Sequence, residues 1–162
     1  MRATASPVTP LKYVVDIDIA KDTFVACFGH IDTSQHLSFG KETTFANTLV
    51  GFTALLVWTA KQQIVAAPQW FVVEATGVYY EELACFLADN AQALNVLLPN
   101  KVKYFAQSTE QKSKTDQLDA RLLCRLGLEC ALPAWQPPTP ALRLLGEALP
   151  RTAEPHPAGG AT

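Results

Sequence analysis

The stretch YVVDIDIAKDTFVACFGH, Tyr13 to His30, decides how the chain is to be read. Its halves, Tyr13 to Ile19 and Phe24 to His30, are β-branched and aromatic runs of strand length, and Ala20, Lys21 and Asp22 make a polar turn between them. Two such runs so joined predict an antiparallel hairpin. Beyond it, Gln35 to Lys41 (QHLSFGK) reads as a third strand, reached through Asp32, Thr33 and Ser34.

Outward from the hairpin the periodicity changes. With Asn47 as N-cap, the run TLVGFTALLVWTAKQQ places Leu49, Phe52, Leu55, Leu56 and Ala60 at helical spacing, predicting a helix to about Gln63. After Pro68, Gln69 to Ala75 (QWFVVEA) reads as a buried strand, followed by Thr76 as N-cap and a helix over Val78 to Asn90. Leu94 to Leu98 is a short strand, and helical segments follow at Val102 to Gln107 and Lys114 to Leu128. Three strands that pair antiparallel, then helix and strand in alternation, define an α/β class with a mixed sheet flanked by helices.

Composition agrees. Of 162 residues 49% are apolar and 17% charged, which fits a packed core and excludes a disordered or fibrous chain. The net charge of -2 does not advertise nucleic acid or membrane, so any such function must come from local clustering. No apolar run reaches membrane-span length, and Met1 to Pro10 lacks a signal-peptide core, so a cytoplasmic setting is expected. Cys27, Cys85, Cys124 and Cys130 lie among apolar neighbours without zinc-ligand spacing, and read as reduced core thiols. Seven of the eleven prolines fall in residues 133–162. The expected organisation is a flexible N-terminus (1–12), one domain (13–132) and a proline-rich linker and tail (133–162).

Acidic residues inside apolar strands are the informative exceptions, because burying a charge without a partner or metal is expensive. Asp18 sits in the first strand, and Glu74 closes QWFVVEA where the chain leaves the sheet. The carboxyl end of a buried strand is where α/β sites assemble. Capping of the adjoining turns is the alternative role for both. In KSKTDQLDARLLCRL, residues 112–126, with Asp116 set at zero, Asp119 falls at about 300°, near Leu123 at about 340° and Leu126 at about 280°. Helix-terminus chemistry with Ser113 or Thr115 as cap accounts for Asp116 but poorly for Asp119. Hard oxygen ligands suit Mg2+ or Mn2+ and not zinc, and a pair of such ions supports phosphodiester exchange. Asp16 shares the strand face of Asp18, about 6.6 Å away. It reads as a residue near the strand start met by water or a basic partner, with an extra outer-shell carboxylate as the alternative.

The runs DIDIAKDTF (16–24), VVEATGVYY (72–80), LLPNKVKYFA (97–106) and KSKTDQLDARLL (112–123) resemble the N-terminal domain of the DEDD insertion-sequence transposases. That family includes Piv-type DNA invertases and bridge-RNA-guided recombinases, and the similarity covers about Tyr13 to Leu145. The resemblance implies a RuvC-like, ribonuclease H-like fold, with Asp18, Glu74, Asp116 and Asp119 as catalytic metal-binding acids. It also implies DNA as partner, guide RNA as a candidate partner, and homo-oligomers in full-length members. Asp16 stands where the family usually has a small residue. The family's later arm and serine-bearing domain have no counterpart here: the five serines are Ser6, Ser34, Ser38, Ser108 and Ser113, and Pro150, Pro155 and Pro157 interrupt any long helix. The expectation is a truncated, frameshifted or split transposase.

Between Pro99 and Arg125 six basic residues outnumber three acidic ones. Lys101, Lys103, Lys112, Lys114, Arg121 and Arg125 are candidate phosphate contacts, with Tyr104 and Phe105 available to stack on unpaired bases or to pack beneath a helix. The competing function is a non-catalytic nucleic-acid-binding or dimerisation remnant. An actin-like ATPase is disfavoured because Ile19, Ala20 and Lys21 lack the glycine of a phosphate-admitting turn.

Overall fold

The structure, a computed structural model, describes residues 8–108 and 116–138, the side chains of residues 116–121 excepted. Ten elements follow in order: β1 (Pro10–Ile19), β2 (Thr23–Asp32), β3 (Leu37–Phe39), β4 (Thr43–Ala46), α1 (Leu49–Gln62), β5 (Gln69–Glu74), α2 (Glu81–Asp89), β6 (Ala93–Leu97), α3 (Pro99–Ser108) and α4 (Asp116–Glu129). The sheet order is β3-β2-β1-β5-β6, with β4 also pairing β2. β1 is antiparallel to β2 and parallel to β5, and β6 is parallel to β5. This is the mixed α/β sheet expected.

Strand alternation sorts the core into two layers. On one face Tyr13, Val15, Ile17, Phe24, Phe71 and Val73 meet Phe52 and Leu55 of α1 and Leu83 and Leu87 of α2. On the other Val14, Val72 and Leu97 meet Leu123, Cys124, Leu126 and Leu128 of α4, with Val102 and Phe105 of α3 at the margin. A helix covers both faces of β1, which is why Tyr13 to Ile17 is a continuous buried run.

Several local expectations shift. β3 shrinks to Leu37–Phe39, and β4 is an additional strand. β3 pairs Gly29 to Ile31 and β4 pairs Thr23 to Ala26, so the two form one edge along β2, broken where Gly40 N donates to Phe28 O. Thr48, not Asn47, caps α1, its Oγ1 accepting from Gly51 N. Asn47 instead donates Nδ2 to the carbonyls of Ala20, Lys21 and Tyr79, tying the hairpin turn to the loop after β5. That loop runs longer than expected. Gly77 turns at φ 63°, a conformation that favours glycine, and α2 starts only at Glu81, without a side-chain cap.

The proline-rich segment begins in contact with the domain. Asn95 Nδ2 donates to the carbonyls of Leu132 and Pro133, Trp135 N donates to Leu94 O, and its ring packs on the first core layer. Residues 1–7 and 139–162, on which most of the expected flexible N-terminus and tail fall, lie outside the described residues. Among those described, no helix is long and apolar enough to cross a membrane.

α4 lies close against the sheet. A Cβ on Gly127 would stand 2.8 Å from Val72 Cγ2 and 3.0 Å from Val14 Cγ1, and one on Gly29 would collide with Cys124 Sγ. Lys12 Nζ donates to the carbonyls of Gly127 and Cys130, satisfying the C-terminal end of the helix. Gly127→Val should therefore lift α4 from β1 and β5 and cost about 1–3 kcal/mol, the usual range for overpacking. Urea denaturation would register this as a lowered midpoint; an unchanged midpoint would show that the close approach is not required.

Candidate metal centre

Two adjacent parallel strands carry the first acids. The β1–β5 register runs Asp16 to Val72 and Ile17 to Val73, so Asp18 and Glu74 come next, side by side at the carboxyl edge. Both belong to the face that α4 covers. Asp18 is exposed and Glu74 half-buried. The expectation that Asp18 is the costly buried acid of its strand is corrected: it sits one residue from the strand's end, where the sheet opens to solvent.

α4 runs antiparallel to β1. Its C-terminal carbonyls receive Lys12, Gly127 lies over Val14, and Cys124 Sγ donates to Val14 O at 3.8 Å. Stepping back eight residues from Gly127 to position 119 covers about 12 Å of helix. The four residues from Val14 to Asp18 cover about 13 Å of strand. Position 119 thus comes level with Asp18, and position 116 lies one turn further out at the start of α4. At about 100° per residue both positions share the helical row of Leu123 and Gly127. The side chains of Asp116, Asp119 and Arg121 lie outside the described residues. Among the described residues, no three acids, cysteines or histidines converge at ligand distance.

The buried acid of β1 is Asp16, only 2% exposed. It does not lie near the strand start, because β1 begins six residues earlier, at Pro10. Its neighbours across the sheet are Cys27 and Val72, and Cys124 is near enough to feel its charge. Its Oδ1 has no hydrogen-bond partner. Burial, with the charges of Asp18, Glu42 and Glu74 adding to it, holds the carboxyl well above the ordinary aspartate range. Strict alternation from Val14, a clear core position, already marks residue 16 as inward; its acidic type obscured that signal. Cys124 is likewise pushed up by burial and stays a thiol.

The basic candidates divide. α3 leaves the sheet directly after β6, turns Val102 and Phe105 onto the core, and exposes Lys101, Lys103 and Tyr104, the last 70% exposed. Of the two aromatic residues, Tyr104 is thus the accessible one. Arg125 pairs with Glu129 at 3.1 Å on α4. Lys112 and Lys114 lie outside the described residues.

A five-strand path of this order and direction, its acids at the carboxyl edge and a helix across the same face, defines an α/β domain of the RuvC-like kind. The chain belongs to the DEDD transposase family, whose IS110-type profile, described as "Transposase", matches residues 15–148. It is 35% identical over 126 residues to the pilin gene-inverting proteins of Moraxella lacunata and Moraxella bovis. Those alignments take in 78% of this chain and 37% of each relative, so the chain spans little more than a third of their length. Among solved structures, an Aquifex aeolicus PPX-GPPA enzyme aligns over 67% of this chain and 43% of its own, at 14% identity and a TM-score of 0.43.

The raised Asp16 pKa has a consequence for stability. An acid whose native pKa exceeds its unfolded value of about 3.8 stabilises the fold below that value and loses the contribution as pH rises through the native pKa. With chelator present, Asp16→Asn should melt a few degrees above wild type at pH 7.5, and the advantage should vanish towards pH 4. Equal melting temperatures at pH 7.5 would mean that Asp16 carries no such penalty.

Proposed function

We propose that this chain is the metal-binding catalytic domain of a DNA transposase or recombinase, acting by phosphoryl transfer. The register that sets Asp18 beside Glu74, with the start of α4 level with both, is the observation that supports it. Asp18, Glu74, Asp116 and Asp119 would hold Mg2+ or Mn2+, and the unsatisfied Oδ1 of Asp16 marks the same face as one suited to positive charge. Divalent cations bound there would stabilise the attacking and leaving oxygens of a phosphodiester exchange.

The chain's own residues would do the rest. Asp18 and Glu74, fixed by two strands of one sheet, would hold the cation, and not the anionic phosphate itself, in a set position with little reorganisation. Lys101, Lys103, Lys112, Lys114, Arg121 and Arg125 would meet the DNA backbone, and Tyr104 would stack on an unpaired base of DNA or of a guide RNA. Homo-oligomers and a cytoplasmic setting, where chromosomal DNA is available, complete the reading.

Two measurements test it. Asp18→Ala and Asp116→Ala should abolish saturable Mn2+ binding in calorimetry while the circular dichroism spectrum is retained; unchanged affinity in both would refute the metal assignment. For DNA, Lys101→Ala and Lys103→Ala should weaken binding across unrelated sequences and each reduce the log–log salt slope by about 1. A slope equal to that of wild type would remove α3 from the DNA surface.

A further inference from the structure

We infer that Asp16 is a fifth acidic member of the metal centre, a positioning residue that acts on the divalent cation from beneath through the cation's hydration shell. The inference rests on the proposed metal assignment and extends it to a residue outside the tetrad. Asp16 lies on the face of β1 that carries Asp18, and is paired in register with Val72, two residues before Glu74. Its Oδ1 is buried and receives no hydrogen bond. Its cross-strand partners Cys27 and Val72, and Cys124 of α4, offer no cation.

An unpaired buried carboxyl oxygen is costly, and a fold that needed only packing here would be served by a small or apolar residue. Asp16 sits too deep for direct ligation. It is 2% exposed, its Cα lies about 6.6 Å from that of Asp18, and the described acids do not converge at ligand distance. One water fills such a gap, and magnesium characteristically keeps several. The missing donor for Oδ1 is then a water of the cation's shell, and partners of this kind orient a centre and raise its affinity.

The test follows Mn2+ binding by calorimetry and melting temperature with and without saturating Mn2+, in wild type, Asp16→Asn, Asp16→Ala and Asp18→Asn, on the full chain. Asp16→Asn should bind Mn2+ about tenfold or more weakly and show a smaller Mn2+-induced rise in melting temperature. Its metal-free melting temperature should not fall. A purely structural Asp16 would not give that opposition. Asp16→Ala should behave alike, so loss of folding in one variant leaves the other to decide. Mn2+ affinity within twofold of wild type in the folded Asp16 variants, with binding lost in Asp18→Asn, overturns the inference alone. Wild-type binding that Asp18→Asn leaves intact overturns the metal assignment, and the role of Asp16 with it.

Discussion

The close approach of α4 to β1 and β5 is the contact on which the rest of the site depends. Strand pairing sets Asp18 beside Glu74 without help from any helix, because the register of two parallel strands is fixed by their ladder. It supplies only half of the proposed tetrad. The other half lies more than forty residues later in the chain, and only the seating of α4 brings its start to the same edge. That seating is tight because residue 127 is glycine and because Gly29 leaves room for Cys124. Lys12 fixes the direction, reaching from the start of β1 to the last carbonyls of the helix.

One face of β1 therefore changes character along its length. Val14 is packed beneath Gly127, Asp16 is buried but unsatisfied, and Asp18 is exposed. The sequence alternates Val, Asp, Asp on that face, and the helix above it follows the same course, from Leu126 and Leu123 to positions 119 and 116. Apolar residues meet across the interface at one end, and the helix positions level with the other end are acidic in sequence. A face built this way is rigid where the acids leave the scaffold, which would suit the demanding geometry of the proposed metal centre. Burial there makes Asp16 costly, since its Oδ1 has no hydrogen-bond partner among the described residues.

Much of this was legible in the residues. The hairpin, the buried strand ending in Glu74 and the four helices follow from periodicity, because each turns its regularly spaced apolar residues towards the core, those of α3 only to its margin. β4 did not show, since Thr43 to Ala46 carries a single large apolar residue, Phe45, and gains its strand character from pairing with β2. Thr48 and Asn47 are both good caps, and only the tertiary position of Tyr79 and the hairpin turn decides that Asn47 is taken elsewhere. The depths of Asp16 and Asp18 are the reverse of the sequence expectation for a similar reason. Alternation gives the face of a strand residue, but depth depends on where the covering helix ends, and that is a property of α4.

The position of α3 bears on how an acidic edge can serve a polyanion. Asp18 and Glu74 would repel phosphate, as would the two further aspartates of the proposed tetrad, and the chain as a whole carries -2. Under the proposed function, cation binding and DNA binding are then coupled: each neutralised acid removes a charge that DNA would otherwise face. α3 starts directly after β6, beside β5 and its terminal Glu74, and its sequence alternates core contacts with exposed lysines. Under the same proposal, that arrangement would draw the backbone of a nucleic acid towards the edge of the sheet without crowding the acids themselves. The packing of half-buried Phe105 matters as much as the exposure of Tyr104, because that contact is what gives α3 a defined place from which to present Lys101 and Lys103. A short helix with no buried side would carry the same charges with no defined place to present them.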